Sequence, residues 1–173
     1  LHYTKGKGYY EEYKEDDSFS DYGLPPVTIG GATFSKTDLI RRKWISNNFY
    51  GLVYSLNYRN ERIDASFGGG MNLYSGDHFG RIIWMRYPGV VERDHQWYFN
   101  NGEKREASTY GKMSWSVSQK LSVFGDLQYR YIKYSLEGSD DDLKNIGQIH
   151  RFSFFNPKAG LFLTIASNQE AYL

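Results

Sequence analysis

Apolar and polar side chains alternate with a period of two along most of this chain. From Leu121 to Leu136, Val123, Gly125, Leu127, Tyr129 and Tyr131 hold one phase, and Ser122, Asp126, Gln128 and Arg130 hold the other. Successive side chains of a strand point to opposite faces, so this run predicts a strand with one apolar and one polar face. Arg62 to Tyr74 repeats the pattern, with Ile63, Ala65, Phe67, Gly69, Met71 and Leu73 against Asp64, Ser66 and Asn72. Asn48–Tyr58 aligns Tyr50, Leu52, Tyr54, Leu56 and Tyr58, and Thr109–Val117 aligns Gly111, Met113, Trp115 and Val117. His150 to Ala166 changes phase near Phe154 and Phe155, which predicts a bulge close to Pro157.

The connections fall into two classes. Arg59-Asn60-Glu61, Ser118-Gln119-Lys120 and Ser167-Asn168-Gln169 read as short polar turns, whereas Glu15–Thr37, Ser75 to about Glu103, and Glu137–Ile149 read as long polar loops. Within the second long loop, Asn100-Asn101-Gly102-Glu103 predicts a small type I′ hairpin or a strand extension. Short turns alternating with long loops are the asymmetry of an outer-membrane barrel. The predicted strands run to about thirteen to sixteen residues, more than the roughly nine to eleven that cross a bilayer when tilted. The expectation is an all-β, antiparallel up-and-down meander. It would be a partial transmembrane β-barrel with short periplasmic turns and long extracellular loops, and residues 1–173 would form one barrel fragment. Tyr58, Tyr74, Trp115 and Phe124, which flank turns, would then form interfacial girdles.

Composition changes this picture little. With 16 Tyr, 11 Phe and 18 Gly against four Pro, the chain favours strands and tight turns over helices. Its 21 basic and 20 acidic residues leave no net field to attract nucleic acid. Without cysteine it has neither disulfides nor thiolate metal sites. A mean hydropathy of -0.64 and the lack of a long apolar run rule out a membrane helix but not a barrel, in which only alternate residues need be apolar.

Candidate chemistry is sparse. Asp140-Asp141-Asp142 lacks the ligand alternation of a calcium loop, and His2, His78, His95 and His150 show no zinc spacing, so no metal site and no cofactor are expected. No activated-nucleophile motif appears, and no enzymatic activity is expected. Gly68-Gly69-Gly70 is followed by no helix pattern and reads as a place for bending or close packing. Arg41-Arg42-Lys43 beside Trp44, together with Arg151 and Lys158, could meet anionic headgroups or an acidic ligand, or could be solvated strand ends. Asp126, Gln128 and Arg130, with Asp64 of the earlier strand, would face a barrel lumen. Tyr22, Phe79, Arg81, Trp84, Arg86, Tyr87 and Trp97 are the candidate ligand-binding loop residues, because rings and Arg dominate binding surfaces.

Three phrases carry a family resemblance: Leu1–Lys14 (LHYTKGKGYYEEYK), Phe124–Arg130 (FGDLQYR) and Phe155–Leu161 (FNPKAGL). In these the chain resembles TonB-dependent outer-membrane receptors of the Bacteroidetes type. The resemblance implies a piece of a barrel of about twenty-two strands enclosing a plug. It also implies energised import of a scarce solute such as an iron chelate, a cobalamin or a glycan across the outer membrane of a Gram-negative bacterium. The implied partners are outer-membrane lipid, the plug of the same parent chain, TonB acting through that plug, and the small solute. The plug lies upstream in that family, so both ends of this sequence read as cuts within a longer one. Two rivals are a soluble β-sandwich that binds carbohydrate through aromatic loops, and a β-scaffold glycosidase using Asp77 and Glu92.

Overall fold

The two-residue period becomes strands of unusual length. The computed structural model describes residues 1–166 and 169–173, and the turn expected at Ser167-Asn168-Gln169 lies partly outside them. Strand β1 covers His2–Ser18 and is followed by a 3-10 turn at Phe19–Tyr22. Then come β2 (Val27–Ile29), β3 (Ala32–Phe34), β4 (Lys36–Arg59), β5 (Ile63–Met85), β6 (His95–Ser116), β7 (Leu121–Gly138), β8 (Gln148–Ala166) and β9 (Gln169–Tyr172). Seven of them form one antiparallel sheet in the order β1-β4-β5-β6-β7-β8-β9. The sheet is an open meander with β1 and β9 at its edges. β2 and β3 make a separate hairpin whose turn, Gly30-Gly31, holds both residues at positive φ, as a type I′ turn requires.

Two expectations need correcting, and one pair of alternatives is decided. The polar stretch Ser75–Glu103 is mostly strand: β5 runs to Met85, β6 starts at His95, and only residues 86–94 connect them. At Asn100–Glu103 the strand extension forms and the hairpin does not, because Asn100 pairs with both His78 and Gly138 and Gly102 with both Gly76 and Leu136. Ladders on both sides outweigh the local turn preference. There is also no bulge at Pro157, since the β7–β8 register runs unbroken from Leu121↔Leu163 to Leu136↔Gln148. β9 pairs only from Phe162 onward, so Pro157 lies where the outer edge of β8 is open and a missing N–H breaks no second ladder. The apparent phase change arises because both faces of β8 are apolar there; Phe152 and Phe154 stack on the face opposite Phe155.

Cross-strand partners share a face, so the register sorts the side chains. One face, called here the band face, carries rows such as Leu56–Phe67–Gly111–Leu127–Pro157. Its apolar stretches are equally long on three strands, from residue 63 to 73, from 121 to 131 and from 155 to 165. Above them the same face turns polar, at Asn48, Ser75, Arg105, Lys133 and Ser153 on successive strands. This boundary is not perpendicular to the strands. Leu73 pairs with Tyr50 and Arg105, whereas Tyr131 pairs with Ala107 and Ser153, so the apolar limit drops by four residues between β4 and β8. At about 3.4 Å per residue and 4.8 Å per strand, the band slants by about 35° and is about 28 Å high.

The opposite, polar face carries Asp64, Ser66, Lys112, Asp126, Gln128 and Arg130. Tyr74 and Phe124 also fall on it, so of the four expected girdle aromatics only Tyr58 and Trp115 lie on the band face. The buried core sits at the long-connection end, where Phe19, Tyr22, Leu39, Ile82, Met85, Trp97 and Tyr98 pack together. The three register shifts among the long strands gather at the same end. A bulge bends and twists a strand locally, which lets the connections fold over one face.

Candidate functional site

Two regions of the polar face hold the candidate chemistry. In the middle of the sheet, Ser66, Lys112, Asp126 and Lys158 form one row across β5–β8. Gln128 Nε2 donates to Asp126 Oδ2 at 3.1 Å, and Arg130 pairs with Glu106 at 2.8 Å. Asp64 shares this face but lies by the short turn, where Arg59 Nε donates to it at 2.9 Å. Asp126 and Ser66 are buried, yet Asp126 Oδ1 and Ser66 Oγ have no hydrogen-bond partner. Gly68 and Gly70, next in the same strand phase, leave the surface beside them without side chains. An ideal Cβ on Gly68 would lie 2.6 Å from the Tyr110 hydroxyl and 2.7 Å from the Tyr54 carbonyl oxygen, so this position needs glycine for close packing. The four residues expected to face a lumen therefore share one face, within a polar network that has unfilled hydrogen-bonding capacity.

The second region is the long-connection end of the same face, where two connections cover the sheet. Tyr22, placed by the 3-10 turn, lies edge-on to Trp97 with ring centroids 5.2 Å apart. Trp97 is the extra residue where the β5–β6 register slips between Gly80 and Arg81. The Arg41 guanidinium sits 5.9 Å from both ring centroids, donates to the Tyr22 hydroxyl at 3.1 Å and pairs with Glu12 at 2.9 Å. The Tyr22 hydroxyl in turn donates to Asp17 at 2.6 Å. From the other side comes segment 139–147. The Asn100 side chain donates to the Ser139 carbonyl at 2.9 Å, Trp97 Nε1 donates to the Asp141 carbonyl at 3.4 Å, and Lys43 donates to the Asp141 carboxylate. Between these pieces open two clefts. One is lined by Tyr10, Lys43, His78, Tyr98 and Asn100, the other by Lys14, Asp17, Arg41, Asp142 and Lys144, and Asp141 borders both.

The electrostatics follow from these contacts. The Arg41 guanidinium holds the Glu12 carboxyl below its usual value, and Lys43 does the same for Asp141. Burial pushes the Tyr98 hydroxyl up to about 12, and burial together with the bond to Asp17 raises that of Tyr22 further. Both phenols stay neutral donors at any physiological pH. The end of this face therefore offers rings, neutral hydroxyls and charges of both signs.

The seven residues expected in ligand-binding loops part company. Only Tyr22 and Trp97 meet at this end of the polar face. Phe79, Arg81 and Trp84 lie in β5 rather than a loop, and their partners Trp44, Arg42 and Ile40 place them on the band face. Arg86 and Tyr87 are in the 86–94 connection but act as ties. Arg86 pairs with the buried Asp38 at 2.7 Å, while the Tyr87 N–H donates to Thr37 and its ring stacks on Phe34 at 4.4 Å. The Asp38 carboxylate also accepts from the Asp16 N–H and the Tyr13 hydroxyl, and these bonds keep its pKa low. Lys43 belongs to the basic stretch singled out for an acidic ligand, whereas Tyr10, His78, Tyr98 and Asn100 were not expected at the site. For the last three the signal was the phase they share with the polar face, hidden because residues 75–103 read as loop. Among the described residues no three His, Asp or Glu side chains cluster so as to hold a metal ion.

No protein-family model matches the chain, and no curated protein matches it significantly.

Proposed function

We propose that the chain is a stretch of the wall of an outer-membrane β-barrel transporter, in which the band face meets lipid and the polar face lines the lumen. The observation that carries this reading is the slanted apolar band. An outer-membrane wall needs an apolar belt about 25 Å tall crossed by strands tilted about 35–45°. The band here has that height, and its slope against the strands falls in that range. Leu56, Met71, Leu127 and Phe155 on it are each more than half exposed to solvent. A soluble sandwich would need a second sheet over these side chains, and the only other sheet among the described residues is the β2–β3 hairpin. The carbohydrate-binding alternative therefore has less support.

On this reading the short turns are periplasmic and the long connections extracellular. Asp64, Asp126, Gln128 and Arg130 point into the lumen. Gly68 and Gly70 of β5, which leave the surface beside this polar row without side chains, fit a surface against which a plug packs. The Tyr22–Trp97–Arg41 cluster and the adjoining clefts form part of the extracellular vestibule that meets the solute. The resemblance to TonB-dependent receptors supplies the rest: a Gram-negative outer membrane, a plug in the parent chain, energy from TonB through that plug, and a small solute such as an iron chelate, a cobalamin or a glycan. The reading assigns the chain no catalysis, cofactor or metal.

Size-exclusion chromatography with light scattering, run with and without detergent micelles, tests the membrane assignment. Dispersion only in detergent is expected; a compact monomer indifferent to detergent would return the chain to the soluble reading.

A further inference from the structure

On the polar face, Lys43 stands in a row that runs Tyr10–Lys43–Gly80–Tyr98 across β1, β4, β5 and β6. Gly80 leaves a gap in this row that the Trp97 ring fills, since a Cβ there would lie 2.2 Å from that ring. The rings of Tyr10, Trp97 and Tyr98 thus flank one ammonium, whose side chain is only 17% exposed. The carboxylate on it comes from Asp141 of segment 139–147, whose main-chain carbonyl accepts from Trp97 Nε1 at 3.4 Å. Beside this pair opens a cleft of about 600 Å³ that reaches Ile45, His78 and Asn100 of the next row. Tyr98 is 9% exposed and Asn100 6%, and both line the cleft. Among the described residues neither the Tyr98 hydroxyl nor the Asn100 side-chain oxygen has a hydrogen-bond partner, so two largely buried polar groups present unused capacity to the cleft.

We propose that this cleft takes a carboxylate carried on an apolar body, an aryl or alkyl carboxylate, and that Asp141 is its built-in competitor. The Asp141 carboxylate holds the solute's place on Lys43 and keeps segment 139–147 docked until the solute displaces it. The inference deepens the vestibule reading above and rests on it for the side from which the solute arrives. Charge carries it. Lys43 is the one Lys or Arg that lines the cleft, and a carboxylate already satisfies it. A phosphate dianion would leave a charge unmatched beside Asp140, and a neutral solute could not replace Asp141 without stranding the ammonium. Displacement itself costs little, because the Asp141 side chain is 45% exposed and such ion pairs are weak. The rings and Ile45 then cover the apolar body, while the Tyr98 hydroxyl and the Asn100 oxygen meet the polar edge of the solute. Once Asp141 leaves Lys43, segment 139–147 loses its charged tie and loosens.

The test uses the whole chain in detergent micelles with benzoate and benzamide, which match in shape and differ in charge. Ligand-observed NMR titration reports affinity, and hydrogen exchange reports protection of residues 139–147. Wild type should bind benzoate better than benzamide, and benzoate alone should lower the protection of the segment. Asp141→Asn, which removes the competitor, should bind benzoate about fivefold tighter, as expected for the loss of a partly exposed ion pair. Lys43→Gln should bind the two probes equally. Equal affinity of wild type for the two, benzoate bound with protection unchanged, or no tightening in Asp141→Asn each overturns the proposal, even if Lys43→Gln fails to fold. Running the samples with and without detergent keeps the two readings apart. A chain dispersed only in micelles that does not tell the probes apart loses this proposal alone. A detergent-indifferent monomer whose segment still responds to benzoate overturns the membrane reading and keeps the cleft.

Discussion

Lys43 and Asp141 show how one pair can hold a connection to the sheet. Segment 139–147 is tied through Asn100, Trp97 and Lys43, and only the last of these ties depends on charge. The Asp141 carboxyl is held low by Lys43, so the pair stabilises the docked segment fully above the ordinary carboxylate range, and this contribution is lost as pH falls through the lowered value. Asp141→Asn should therefore lower the hydrogen-exchange protection factors of residues 139–147 at neutral pH and remove the further loss of protection that acid causes in the wild type. Unchanged exchange would mean that the two hydrogen bonds suffice. Leu39, 1% exposed in the small core, is a residue whose truncation should leave a cavity there. Leu39→Ala should lower stability in micelles by about 2–4 kcal/mol, measured by denaturant titration of tryptophan fluorescence. None of this could be read from spacing. Tyr22 and Trp97 are far apart in sequence and meet because a 3-10 turn and a register slip deliver them to one place.

At the scale of the strand, face decides consequence. Leu127 and Gln128 are neighbours in β7, but Leu127 lies mid-band and Gln128 beside Asp126 on the polar face. A charge at a lipid-facing midplane position costs about 2–4 kcal/mol, and a lumenal one little. Leu127→Arg should accordingly impair refolding into vesicles, scored by flotation, while Gln128→Arg should insert like the wild type. Equal behaviour of the two would contradict the assignment of faces. Strand phase was legible for β5, β6 and β7 over the band, because burial on one side alone imposes alternation. It failed above residue 75, where both faces turn polar and Asn-Gly and Gly-rich stretches mimic turns, although β5 and β6 pair straight through them.

At the scale of the whole sheet, the open edges matter. β1 has a partner on one side only, and β8 is paired with β9 only from Phe162 onward, so long rows of backbone N–H and C=O groups await partners. In micelles the chain should associate through these edges in a concentration-dependent way, and light scattering at rising concentration checks it. A proline at an outward-bonding position of β1 should reduce the association, because it removes a donor from the edge.

What the sequence determined by itself was the class and direction of the fold: strands rather than helices, consecutive antiparallel pairing, and connections sorted by length. These are local matters, set by period and turn chemistry. It also indicated that Asp64, Asp126, Gln128 and Arg130 share a face, since each occupies the phase opposite the apolar run of its own strand. Tertiary structure alone decided the slope of the band, the length of the strands beyond it and the membership of the Tyr22–Trp97–Arg41 cluster. Slope is a property of register between strands, and a register of this length is fixed by many weak cross-strand contacts acting together. The cluster lies where three bulges re-aim side chains and the alternating pattern gives no sign of them.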